Sequence, residues 1–261
     1  MNYLETNRHL WNERTPIHIL SDFYDMDGFL QGNTSLKSIE LAQVGEVKEK
    51  TILHLQCHFG QDSLSWARMG AKVTGLDFSE AAIEYAQKLN TQLGLDAEFI
   101  CADVYEAPQL LSQQYDMVFT SYGVLGWLPD MQKWANVVAT CLKTGGELHL
   151  IEFHPLVWIF DNDFTHIQYS YFNVEAIIEN EEGTYTDKNA PIKSPCMTWN
   201  HPLSEVVNAL ISANLRIEGL NEYDFSPYNC FPNTVPTDEG NFYLKGMEKK
   251  LPMVYAIKAV K

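Results

Sequence analysis

The apolar positions between residues 51 and 80 fall into the order strand, tight loop, helix, strand. Thr51-Ile52-Leu53-His54-Leu55-Gln56 is a short, almost unbroken apolar run of the kind that fills a buried parallel strand. It breaks at Cys57-His58-Phe59-Gly60. The spacing then predicts a helix over 62–69 that carries Leu64 and Ala67 inward, with Gly70 just past its end. Ala71-Lys72-Val73-Thr74-Gly75-Leu76 forms a second strand that ends on Asp77. Ser79 caps a longer helix whose Ile83, Ala86, Leu89 and Leu93 recur at helical spacing until Gly94. Residues 97–101 read as a third strand leading to Ala102-Asp103, and 115–120 as a fourth leading to Ser121-Tyr122-Gly123. Asp130 caps a helix striped with Met131, Trp134, Val137, Val138, Cys141 and Leu142. Gly145-Gly146 then turns into a fifth strand over 147–153.

Beyond Pro155 the rhythm changes. Trp158, Phe160, Phe164, Tyr169, Tyr171, Phe172, Tyr185 and Trp199 crowd an irregular stretch with a hairpin expected at Glu181-Glu182-Gly183. A helix over 204–213 and strands over 215–220 and 253–260 close the chain. The first 45 or so residues mix polar and aromatic side chains (Trp11, Phe23, Tyr24, Phe29), with a helix expected over 35–44 and no strand. The β-α alternation predicts an α/β fold, a doubly wound parallel sheet with helices on both faces. One domain is expected over 1–261, with a helical N-terminal extension at 1–48 and an aromatic insertion at 155–200 after the fifth strand.

Composition narrows the partners. With 34 acidic against 18 basic residues the net charge is -16, which repels phosphate backbones and counts against nucleic acid and anionic membranes. No apolar run approaches the ~18 residues of a membrane span, and no basic-then-apolar leader stands at the N-terminus. The five cysteines lie far apart without metal spacing, as in a reduced, cytoplasmic enzyme. A small neutral or cationic substrate is the easier expectation, and the oligomeric state is not readable.

The first strand-loop-helix-strand unit puts a helix N-terminus and a strand-end carboxylate, Asp77, where a nucleotide-type cofactor binds. A nicotinamide-dependent (NAD(P)) oxidoreductase would also want Asp77, but its Gly-x-Gly-x-x-Gly loop is absent.

The order of motifs resembles the class I S-adenosylmethionine (SAM)-dependent methyltransferases over residues 50–261. In that family the first loop runs acidic-x-Gly-x-Gly-x-Gly; here it is His54-Leu55-Gln56-Cys57-His58-Phe59-Gly60, so Gly60 alone keeps the family residue. Gly75-Leu76-Asp77, Ala102-Asp103 and Leu142-Lys143-Thr144-Gly145-Gly146 follow in family order. The chain is similar to a small-molecule-type subgroup marked by Leu-His-Leu-Gln-Cys-His-Phe-Gly. The resemblance implies a Rossmann-like seven-stranded sheet whose last strand, over 253–260, is antiparallel. It also implies SAM as cofactor and methyl transfer to a small-molecule acceptor. The two missing glycines leave open a catalytically degenerate nucleotide-binding protein of the same fold.

Site roles follow from that resemblance. Gly60 would let the backbone approach the methionine end of SAM, with backbone groups of Gln56, Cys57 and His58 lining the same loop. Asp77, with Phe78 beside it, would accept from the ribose hydroxyls. Asp103 would accept from the adenine amino group between Ala102 and Val104. Ser121 follows the fourth strand at the same edge. His54 and His58 either bond the methionine carboxylate or are satisfied structural histidines. Adjacent Cys57 and His58 make a poor zinc pair, so no metal is expected. Cys196, after Pro195, lies in the insertion and reads as structural.

Methyl transfer from a sulfonium needs alignment and water exclusion more than acid-base chemistry. Where a base is needed, His154 after the fifth strand is the first choice, with Tyr122 as a contact to either SAM or acceptor. The 155–200 insertion, the 223–251 connection and the N-terminal extension all reach one edge of the sheet. There they could form a lid whose aromatic rings hold a cation or simply make the lid's own core.

Overall fold

The structure, a computed structural model, describes residues 2–261. It opens with helices α1 (Tyr3–Ile19), α2 (Met26–Leu30) and α3 (Ser38–Val44), and then enters the alternating part. This comprises β1 (Thr51–Leu55), α4 (Gln61–Arg68), β2 (Lys72–Asp77), α5 (Glu80–Leu93), β3 (Glu98–Cys101), α6 (Ala107–Leu110), β4 (Tyr115–Ser121), α7 (Met131–Cys141) and β5 (Leu142–Phe153). A hairpin of β6 (Ile177–Glu182) and β7 (Lys193–Thr198) follows, then α8 (Leu203–Ser212) and β8 (Arg216–Tyr223). A smaller hairpin of β9 (Thr234–Pro236) and β10 (Phe242–Leu244) precedes β11 (Val254–Val260).

Seven strands make one sheet in the order β3-β2-β1-β4-β5-β11-β8. β1 runs parallel to β2 and β4, and β4 to β5, whereas β11 runs antiparallel to both neighbours, β5 and β8. The expectation of a single antiparallel last strand is met. Side-chain alternation splits the core: Leu53 and Leu55 pack with Trp134 and Val138 of α7 and Leu210 of α8, while Ile52 faces Ile39 of α3 and Trp66 of α4. Helices therefore cover both faces, and the carboxyl ends of β1–β5 share one edge.

Caps fix where that edge begins. Ser79 Oγ accepts from the Ala82 amide at 3.2 Å to start α5, and Asp130 Oδ1 accepts from the Lys133 amide at 2.8 Å to start α7. The expected turn at Gly145-Gly146 lies instead within an extended β5, with Gly145 at a φ of 77°. The expected tight turn at Gly183 opens a longer connection between β6 and β7.

The helical extension expected over 1–48 includes α1, whose span the sequence pattern does not delimit. Its buried stripe, Asn7, Leu10, Arg14, Thr15 and His18, has helical spacing but only one apolar member, so hydrophobic periodicity does not reveal it. These residues face other polar groups. Asn7 donates to the Met197 carbonyl at 2.8 Å and accepts from the Met197 amide at 2.9 Å, Arg14 pairs with Glu181, and Ser194 donates to Glu13. The helix is thereby tied to both strands of the β6–β7 hairpin. No helix among the described residues is long and apolar enough to cross a membrane.

Candidate active site

A cavity of about 910 Å³ opens at the carboxyl edge of β1–β5, roofed by α1 and by residues of the β6–β7 hairpin. It lies at the upper end of the ~300–1,000 Å³ usual for ligand sites, which is room for a nucleotide-sized group and a second small molecule.

The loop after β1 forms its floor. Gln56, His58 and Gly60 have φ of 57°, 51° and 82°, so alternate residues are left-handed. A glycine takes this conformation without strain, whereas Gln56 and His58 carry a cost of about 1–2 kcal/mol each. The loop is thus shaped as for glycine but built with larger residues. The Cys57 amide donates to the Leu76 carbonyl at 3.0 Å, the His58 amide to Asp77 Oδ2 at 2.9 Å, and the Gln56 side-chain amide to the Val124 carbonyl at 2.9 Å.

Asp77 ends β2 nearly buried and accepts two backbone amides, His58 on one oxygen and Ser79 on the other, both at 2.9 Å. Each oxygen has acceptor capacity left beyond these bonds, and Asp77 lines the cavity. Burial pushes its carboxyl up to about 6 against the downward pull of these amides. The Ala102 amide donates to the Asp77 carbonyl at 2.9 Å and carries the edge across to Asp103, which accepts the Tyr105 amide at 3.1 Å. Phe78, Ala102, Asp103 and Val104 all line the cavity, as do Cys57 and Ser121.

His54, His58 and Gly60 also line the cavity. A Cβ on Gly60 would lie 2.7 Å from the Phe99 ring and 3.0 Å from Ala86, so internal packing by itself already excludes a side chain there. His54 is buried and bonded to Ser63 Oγ at 2.8 Å, with Phe119 at its ring edge, and burial holds it neutral by lowering it to about 3. His58 stacks on Tyr24 and His18, its Nε2 3.2 Å from His18 Nδ1. It too is held at about 3 by burial and by the charge of Arg14.

His154 does not reach the cavity. Its amide donates to the Met253 carbonyl at 2.9 Å, which prolongs the β5–β11 ladder and directs the ring toward Tyr255 and Glu222. Nδ1 accepts the Leu156 amide at 3.2 Å, so Nε2 carries the proton and meets Glu222 at 2.9 Å. No lone pair remains for an acceptor's proton. Tyr122 does line the cavity, at a φ of 37°, with its hydroxyl donating to Glu40 Oε2 at 3.1 Å and its ring edge-on to Tyr228.

Other groups at the site were not evident from sequence. Buried Glu152 accepts the amides of Val124 (2.8 Å) and Leu125 (2.9 Å) as well as Gly123, and so fixes the loop after β4. Its placement on an otherwise apolar strand end was the available signal. From α1 come Trp11, edge-on to His58 and Trp127, and Arg14, whose guanidinium lies over both tryptophans. Tyr24 and Tyr185 share a hydroxyl-hydroxyl bond. These contacts are long-range and left no local pattern.

Comparison with known proteins agrees with this geometry. Residues 52–146 match the family model described as a methyltransferase domain. A ubiquinone biosynthesis O-methyltransferase from Salmonella arizonae is 29% identical over 134 residues, 50% of this chain and 55% of that protein. The chain thus spans about half the length of the curated relatives it matches. A SAM-dependent methyltransferase from Mesorhizobium loti superposes with a TM-score of 0.60 at 20% identity, covering 89% of this chain and 100% of that one. One from Clostridium acetobutylicum does so with a TM-score of 0.59 at 14% identity, covering 97% and 98%. At such identities the likeness is one of fold.

Proposed function

We propose that this chain, a member of the class I SAM-dependent methyltransferases, binds SAM along the β3-β2-β1 edge and methylates a small molecule held in the same cavity. The carrying observation is Asp77, a nearly buried carboxylate whose two oxygens are oriented by the His58 and Ser79 amides. Such a carboxylate suits a ribose diol, and its location beside a left-handed loop and the Asp103 turn suits a nucleoside.

The residues present fit that cofactor, and its binding supplies an electrophilic methyl on a sulfonium. Asp77 would hold the ribose, Asp103 with Ala102 and Val104 the adenine, and the Gln56–Gly60 backbone the methionine end. Glu152, by gathering three amides of the loop after β4, keeps that side of the cavity rigid. Tyr122 and the aromatic residues from 153 to 164 would orient the acceptor. The 155–200 segment would act with α1 as a lid that excludes water. Tyr122 and His154 lack the arrangement of a general base, since the tyrosine proton is committed to Glu40 and its hydroxyl is held well above the ordinary range by burial.

The test is release of S-adenosylhomocysteine from SAM during incubation with a panel of small amines, phenols and thiols. Turnover of one class that depends on Asp77 supports the proposal. SAM binding with no turnover across the panel would favour a degenerate member of the fold.

A further inference from the structure

Asp62, the second residue of α4, stands at the end of the cavity opposite Asp103 and lines it. Its Oδ1 accepts Ser35 Oγ at 2.6 Å and its Oδ2 accepts Ser121 Oγ at 3.3 Å. In the sheet order β3-β2-β1-β4, Asp103 follows β3, Asp77 ends β2, and Ser121, holding Asp62, ends β4. Three inter-strand steps of ~4.8 Å separate the first from the last, roughly 14 Å. That is about the reach of a nucleoside bearing an amino-acid tail.

The surroundings of Asp62 favour a cation. Behind Tyr122, fully buried Glu40 uses Oε2 for the tyrosine hydroxyl, and its Oε1 has no hydrogen-bond partner among the described residues. Lys37, whose charge pulls the Asp62 carboxyl back down, holds its Nζ 4.8 Å from the Tyr228 ring centroid, so an ammonium already rests on this wall. Burial raises both acids, Glu40 to about 7, and an incoming cation would relieve that cost. The family position for a loop acid is occupied by neutral His54, already satisfied by Ser63, so it offers no such charge.

We infer that Asp62, flanked by Ser35, Ser121 and Tyr122, is the anchor for a protonated amino group, carried either by the amino-acid end of the cofactor or by an amine acceptor. The inference rests on the SAM reading above.

The experiment compares wild type with Asp62→Asn, and with Asp62→Glu as the charge-retaining control. Equilibrium binding is measured for SAM, S-adenosylhomocysteine and methylthioadenosine, which lacks the amino-acid end. Phenethylammonium is titrated in the presence of saturating S-adenosylhomocysteine. Loss of at least tenfold in Asp62→Asn for SAM and S-adenosylhomocysteine, with methylthioadenosine unchanged and partial recovery in Asp62→Glu, assigns the amino group to the cofactor. Unchanged nucleoside binding with a tenfold loss for phenethylammonium assigns it to the acceptor. Loss for SAM alone would point to the sulfonium and overturn the assignment, as would four unchanged affinities. Wild-type protein that binds neither SAM nor methylthioadenosine would overturn the parent reading, an outcome distinct from all of these.

Discussion

SAM affinity should depend on pH through Asp77. The carboxyl stands at about 6 in the unliganded protein because burial outweighs two amide bonds. Ribose hydroxyls donate more strongly to the ionised form, so binding lowers this pKa and releases protons. The sign follows: affinity is fully present above about pH 7 and is lost as pH falls through 6, by roughly twofold at pH 6 and tenfold at pH 5. Asp77→Asn removes this slope. At pH 7.5 it should weaken binding by about 1.5–3 kcal/mol, the range for a hydrogen bond to a charged group, or ~10- to 150-fold. The two proteins should then converge toward pH 5. Titration calorimetry in buffers of different ionisation enthalpy reads both quantities, with about half a proton released per SAM at pH 6 and almost none at pH 8. Glu40, raised to about 7, titrates in the same range, and burial also raises Asp62. A slope that survives intact in Asp77→Asn belongs to them and refutes the ribose assignment, as does a wild-type affinity that is flat from pH 5 to 8.

Gly60→Val should unfold the protein more readily rather than simply block a ligand. Phe99 must move and a branched residue must enter φ 82°, at a combined cost of about 2–5 kcal/mol; an unchanged urea midpoint would contradict this. His154→Ala should leave SAM affinity and turnover within about twofold while costing ~1–2 kcal/mol of stability from the lost hydrogen bond to the Leu156 amide and the lost contact with Glu222. Loss of turnover in a folded variant would restore it as a base. Asn7→Ala deprives the Met197 amide and carbonyl of their partners at ~2–3 kcal/mol. Limited proteolysis should then cut α1 and the β6–β7 hairpin at matching rates, and cutting of one alone would show that they do not act as a unit.

The sheet was legible because parallel strands buried on both faces read as short apolar runs, and because Ser79, Gly94 and Asp130 punctuate the helices. Asp77 was legible for the same reason, as the first charge after such a run. The N-terminal segment was expected to be helical, but the span and inward face of α1 were not legible, since that face is largely Asn7, Arg14, Thr15 and His18, whose partners lie far away in sequence on the hairpin and the first loop. The aim of His154 was set by a backbone bond to Met253, which no local pattern encodes. Gly60 was singled out from the loop pattern, but the neighbour on another strand that forbids its side chain, Phe99, was not legible there. Asp62 sits two residues beyond the loop motif and gains meaning only once α4 turns it toward Ser35 and Ser121.

The central claim is that this cavity holds SAM with its ribose on Asp77. Titration of the purified protein with SAM and, separately, with NAD tests it most directly. Saturable one-to-one binding of SAM, competed by S-adenosylhomocysteine and weakened in Asp77→Asn, with no binding of NAD, is the predicted result. Binding of NAD in preference to SAM, or SAM binding indifferent to Asp77, would contradict it.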